Sequence, residues 1–201
     1  MQNKLEVAIM GFFGKAKEAL RDKTRDNVSA HLNRVGVGAK LAERGIKEEI
    51  ASRPRWVSSL GLIEISKSPI NFVHVVYVQT RYGRYYSTLY LIHDPNVYYP
   101  TVHDKGHLKA SSKRVKERPV IGKVKDVVWD GNLGENIMQC LSEDQYLKQE
   151  LIRLRHDVKI GTCPDISYWK IEVKGNLDKQ VREKWDIYEA IARHLKLQRD
   201  W

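Results

Sequence analysis

The stretch Ile70-Asn71-Phe72-Val73-His74-Val75-Val76-Tyr77-Val78 is apolar at nearly every position. Side chains alternate between the two faces of a strand, so this segment has to run through the middle of a sheet with cover on both sides. Trp56 to Ile65 and Tyr85 to His93 are also rich in β-branched and aromatic residues, and turn-forming groups separate the three runs: Lys67-Ser68-Pro69, Arg81-Tyr82-Gly83-Arg84 and Asp94-Pro95-Asn96. Connections this short cannot make a parallel crossover, so the three strands are expected to form an antiparallel meander.

Helices are expected around this meander. Leu5, Ile9, Phe12, Phe13, Ala16 and Leu20 recur at steps of three and four, and Val28, Leu32 and Val35 begin a second helical stretch. That stretch is interrupted at Gly36 and Gly38, then resumes through Leu41, Ile46 and Ile50 to a stop at Arg53-Pro54. Further on, Val120 to Trp129 reads as a strand. Leu133 to about Arg155 reads as helix in two pieces, with Ser142 and Gln145 in the form of a capping box. A hairpin of Val158 to Gly161 and Ile166 to Lys174 follows. The last helix, Asp178 to Leu197, carries Val181, Trp185, Tyr188, Ala192 and Leu195 along one side.

The expected architecture is α+β: an antiparallel sheet of five to seven strands packed by two C-terminal helices, with a helical N-terminal segment. Residues 1–52 form that segment, and 53–201 form the α+β domain with a basic loop at 103–119. With 201 residues and 42% apolar composition, the chain can bury a sizeable core as one domain. No window approaches the roughly 18 to 20 consecutive apolar residues of a membrane span. Cys140 and Cys163 are too few for a disulfide framework. A cytoplasmic location fits this usage, with a single bridge left open.

Charge is distributed unevenly. Of the formal +10, a balance of +7 falls between Lys105 and Lys125, where eight Lys or Arg face one acid, Glu117. Such a cluster attracts polyanions through counterion release, so a nucleic acid is the favoured partner and an anionic membrane surface the next. The weight is expected on Lys109, Lys113, Arg114, Lys116 and Arg118. Arg81 and Arg84, interleaved with tyrosines in a hairpin tip, add to it. The resulting reading is a non-catalytic polyanion-binding module without a cofactor.

Two alternatives of other classes stand beside it. Asp157, Glu172 and Lys174 lie on the second hairpin, with Glu172 and Lys174 on one side of their strand. Over Asp157 to Lys174 the chain resembles the metal-binding core of the PD-(D/E)xK nuclease family, with His156-Asp157 where the family has Pro-Asp. That resemblance implies Mg²⁺ held by Asp157 and Glu172, with Lys174 stabilising phosphoryl charge. The second alternative is a membrane-peripheral or assembly protein that uses its N-terminal amphipathic helix, including for homo-oligomer contacts. His93, His103 and His107 fall within 15 residues, beside Asp94 and Asp104, and have the chemistry of metal ligands. No helical metal signature accompanies them, and no metal is expected.

Overall fold

Eight strands form one sheet in which every pairing is antiparallel, in the order β1-β2-β3-β4-β8-β7-β5-β6. The computed structural model describes residues 22–43, 57–95, 97, 108–117, 122–163, 167–174 and 182–196. The strands are β1 (Gly38–Leu41), β2 (Val57–Ser66), β3 (Phe72–Thr80), β4 (Gly83–His93), β5 (Lys109–Lys116), β6 (Val124–Gly131), β7 (Lys159–Cys163) and β8 (Tyr168–Lys174). Among the described residues, four helices accompany them: α1 (Thr24–Arg34), α2 (Glu135–Glu143), α3 (Gln145–Leu154) and α4 (Arg182–Lys196).

The meander β2-β3-β4 lies where the sequence puts it, and the sheet is one strand larger than the expected range. Two strands were not expected. The helical stretch does not run on through Leu41, because Gly36 adopts φ +85°. The Val37 N–H then reaches back to the Leu32 carbonyl at 2.9 Å and the Gly36 N–H to the Asn33 carbonyl at 3.0 Å. This is a Schellman end, which releases residues 38–41 into β1. The other is β5, which takes up about half of the expected basic loop, 109–116 of 103–119. Ala110 and Ser112 are buried on one side while Lys109 and Lys113 are exposed on the other, so the segment is an amphipathic strand despite its charge.

Helix boundaries follow local chemistry. The long helical region breaks between Glu143 and Gln145, and Asp144, rather than Ser142, caps α3 by accepting the Leu147 N–H at 2.9 Å. His194 of α4 approaches the other Asp144 oxygen at 2.7 Å. Burial raises the Asp144 carboxyl, but the Leu147 N–H and His194 outweigh it and leave it below the usual carboxylate range.

The main core lies between one sheet face and the helices. Ile63, Val73, Val75, Tyr90, Ile92, Ile160, Trp169, Ile171 and Val173 meet Leu141, Leu147, Leu151, Trp185, Ile187, Tyr188 and Ile191. The Tyr90 ring lies 4.3 Å from that of Tyr188 and 6.0 Å, edge-on, from that of Trp185. Val28 and Leu32 of α1 belong to the same core, which ties the N-terminal helix to β1 and β2. Here Gly61, at φ +110°, makes a bulge in β2; a Cβ on it would lie 2.5 Å from the guanidinium of buried Arg25. A smaller apolar cluster of Leu62, Phe72, Val76, Val78, Leu89, Leu91 and Cys163 occupies the opposite face, across β2, β3 and β4 and reaching the end of β7. The central strand is therefore buried on both sides, as its composition requires.

Candidate anion-binding face

Register determines which way each charged side chain goes. Ala110 of β5, Ile160 of β7 and Ile171 of β8 form one row on the helix-covered face. One residue along, Lys109, Gly161 and Lys170 form a row on the opposite face, and Ser111, Lys159 and Glu172 form the next. Lys109 and Lys159 are exposed, and Lys170 and Glu172 are half-buried. Gly161 leaves space that Lys170 uses, since a Cβ there would lie 3.3 Å from Lys170 Cε. The outer half of this face, over β5, β7 and β8, thus carries lysines beside the end of the smaller apolar cluster, which reaches Cys163 and Tyr168.

Strand formation divides the basic segment instead of presenting it as one patch. Lys109 and Lys113 alternate to the open face, while Arg114 and Lys116 alternate to the helix-covered one. Two of these four are paired with acids. Lys113 contacts Asp130 across the β5–β6 ladder, and this hydrogen bond and charge hold the Asp130 carboxyl below its usual range. Arg114 donates to Asp157 Oδ2 at 2.7 Å. The Lys113–Asp130 pair is exposed and the Arg114–Asp157 pair partly so, a setting in which an ion pair is worth about 0–1 kcal/mol. Arg118 lies outside the described residues.

The hairpin β3–β4 ends at the same end of the sheet as the β5–β6 hairpin, because β4, β8, β7 and β5 run alternately up and down. Arg81 and Tyr82 form its tip. Tyr82 is 83% exposed, and the Arg81 guanidinium lies 4.5 Å from its ring centroid. Arg84 pairs with Gln79 and alternates to the helix side, away from the lysines. At the other end of the open face, Tyr168 and His93 pair across β8 and β4, with ring centroids 5.0 Å apart.

The residues of the nuclease-like hairpin are brought partly together. Arg155, His156, Asp157, Lys159 and Glu172 line a cavity of about 350 Å³ where α3 turns into β7. Arg155 makes this turn in the left-handed conformation, at φ 49°. The Asp157 carboxylate is engaged by Arg114, and Lys174 closes β8 opposite Ser87. The His156 imidazole is pushed down to about 4, by burial first and then by the Lys184 and Arg114 charges, against the pull of Asp157. The Tyr188 phenol, raised by burial, lies with its hydroxyl 2.7 Å from His156 Nε2. The lowered pKa leaves His156 neutral at pH 7.

No protein-family model matches this chain, and no curated protein or solved structure matches it significantly.

The remaining sites separate. His93 stacks on Tyr168, and Asp94 accepts the Trp169 indole N–H at 3.2 Å, so the acid beside the histidines has a structural partner. His103 and His107 lie outside the described residues, among which no three His, Cys, Asp or Glu side chains gather to hold a metal ion. The N-terminal amphipathic stretch also lies outside them. Among the described residues, no helix is long and apolar enough to cross a membrane. Cys140 and Cys163 are free thiols, the first exposed and the second buried. Lys159 and Lys170 are the residues that charge counting along the chain passes over. Their signal is alternation, since each is a lysine flanked by buried positions in a strand.

Proposed function

We propose that the open face of β5, β7 and β8 binds a polyanion, with nucleic acid the favoured ligand. One observation carries this reading: Lys109, Lys159 and Lys170 come from three adjacent strands onto one solvent-facing surface, with Lys113 beside them, against the two acids Glu172 and Asp130. Adjacent strands lie about 4.8 Å apart and alternate residues about 6.8 Å, so the ammonium groups fall within a Debye length of one another and add their fields. The chemistry asked of the face is retention of a phosphate backbone, which needs fixed cations and no titrating acid or base. Arg81 at the hairpin tip extends the cationic surface along the same edge of the sheet.

Retention on heparin and affinity for a labelled oligonucleotide, measured against salt, test it. Replacing Lys109, Lys159 and Lys170 together by Ala is expected to reduce the slope of log K against log salt by about 2–3, since each lost phosphate contact removes about 0.7–0.9. Replacing Arg182 and Arg193 on α4 should leave the slope unchanged. An unchanged slope in the lysine variant rejects the face.

A second reading keeps Asp157, Glu172 and Lys174 as a Mg²⁺-dependent hydrolytic centre. Its support is the cavity that Asp157 and Glu172 both line. Cleavage of nucleic acid that requires Mg²⁺ or Mn²⁺ and is lost in Glu172→Ala is the expected result on this reading. Absence of cleavage with both ions retires it.

A further inference from the structure

We infer that the open face takes single-stranded nucleic acid in preference to a duplex. This rests on the polyanion reading above and adds to it the placement of the aromatic side chains. Tyr82 stands at one end of the face and the Tyr168–His93 pair at the other, with Lys113, Lys159 and Lys170 in the rows between. From the hairpin tip to the level of His93, β4 runs eleven residues, or about 35 Å at the rise of an antiparallel strand. That span suits a short run of nucleotides, within the about 4–16 that sequence-tolerant platforms cover.

The aromatic groups decide between ligand forms. In a duplex the base faces are stacked on one another, leaving phosphates and groove edges for contact, so exposed rings at both ends of a cationic strip have nothing to stack on. Unpaired bases offer their π-faces, and stacking one on Tyr is worth about 1–3 kcal/mol. Tyr82 is suited to this: Arg81 occupies one side of its ring, and the other is open to solvent. His93 is exposed and braced edge-on by Tyr168, which itself leans on Phe72 at 6.2 Å. The outer half of the face has room for an extended strand, since the bordering side chains of Val115 and Val128 are 40% and 42% exposed.

The test compares a labelled 12-nucleotide single strand, the blunt duplex of the same sequence, and vesicles containing phosphatidylserine, with heparin retention as a separate readout. The single strand should bind at least tenfold more tightly than the duplex. Tyr82→Ala and Tyr168→Ala should each weaken single-strand binding by 5- to 30-fold while leaving the heparin elution salt unchanged. Tyr82 lies in solvent, so its replacement leaves the fold intact, and Tyr168→Phe should retain binding because the ring remains. Equal or tighter duplex binding, or tyrosine variants that bind the single strand normally, overturns the inference while lysine-dependent heparin retention upholds the broader reading. Vesicle binding without oligonucleotide binding also overturns it. Loss of lysine dependence on heparin defeats the broader reading itself.

Discussion

Strands β3 and β4 bury apolar side chains on both faces, whereas the second face of β5, β7 and β8 mixes exposed or half-buried charged residues with the buried Gly161 and Cys163. The pairing is antiparallel throughout, so backbone geometry does not make the difference. It comes from the second set of alternate positions. On β3 and β4 these are Phe72, Val76, Leu89 and Leu91; on the outer strands they are Lys109, Lys159, Lys170 and Glu172. A sheet that continues from an apolar second face to a charged one keeps half of that face in water. The proposed ligand site uses that part, where a surface lysine adds little to stability.

The sharpest way to break this contrast is to exchange a residue across one strand. Ile171→Ala, on the covered face of β8, is expected to cost about 2–5 kcal/mol in urea unfolding, through lost burial and the cavity left behind. Its neighbour Lys170→Ala should change stability by no more than about 0.5 kcal/mol. Similar costs for the two would mean that the outer strands are not one-sided.

Acid should reach the covered side first at His156. Its folded pKa of about 4 lies below the ordinary 6.5, so the unfolded chain takes up the proton earlier as pH falls. The stability from the neutral ring is complete above pH 6.5 and is lost between there and 4, by about 1–2 kcal/mol once the ring's partial exposure is allowed for. Lys184, Arg114, Asp157 and the Tyr188 hydroxyl face it, and His156→Gln should flatten the pH dependence of the urea midpoint. Asp144, held below its ordinary 3.8, contributes in the same direction only as pH falls through that value.

A smaller effect is expected at the cap of α3. Asp144→Ala should cost about 1 kcal/mol, because the Leu147 N–H loses its acceptor. Smallest of all is the open-face pair. Asp130→Asn should alter stability by under about 1 kcal/mol while freeing Lys113 and tightening heparin retention. Weaker retention would show that Asp130 positions Lys113 instead of occupying it.

Much of the architecture was legible from alternation and periodicity. The doubly apolar Ile70 to Val78 run marked the central strand, and the Trp185–Tyr188–Leu195 side of the last helix marked a face that needs a sheet. What escaped was structure formed against local composition. Lys113-Arg114-Val115-Lys116 has the composition of a solvated loop and becomes a strand because β6 supplies its ladder partners, while β7 pairs with the preceding Lys109 to Ser111. Likewise, Gly36 and Gly38 marked an interruption in the sequence, but only the backbone shows that a strand follows it instead of more helix. The candidate site was legible as charge but not as geometry. Counting along the chain grouped Arg114 and Lys116 with Lys109 and Lys113, whereas strand alternation separates them, and only cross-strand register brings Lys159 and Lys170 beside Lys109.

On the proposed reading, a nucleic acid touches the molecule at the open face of β5, β7 and β8. Amide and lysine side-chain shifts, followed by NMR as a single-stranded oligonucleotide is added, locate that contact directly. The shifts should concentrate on Lys109, Lys159 and Lys170 and on Tyr82, with α2, α3 and α4 unmoved. Shifts centred on the helices or on the β1 edge, with the lysines of β5, β7 and β8 silent, would contradict it.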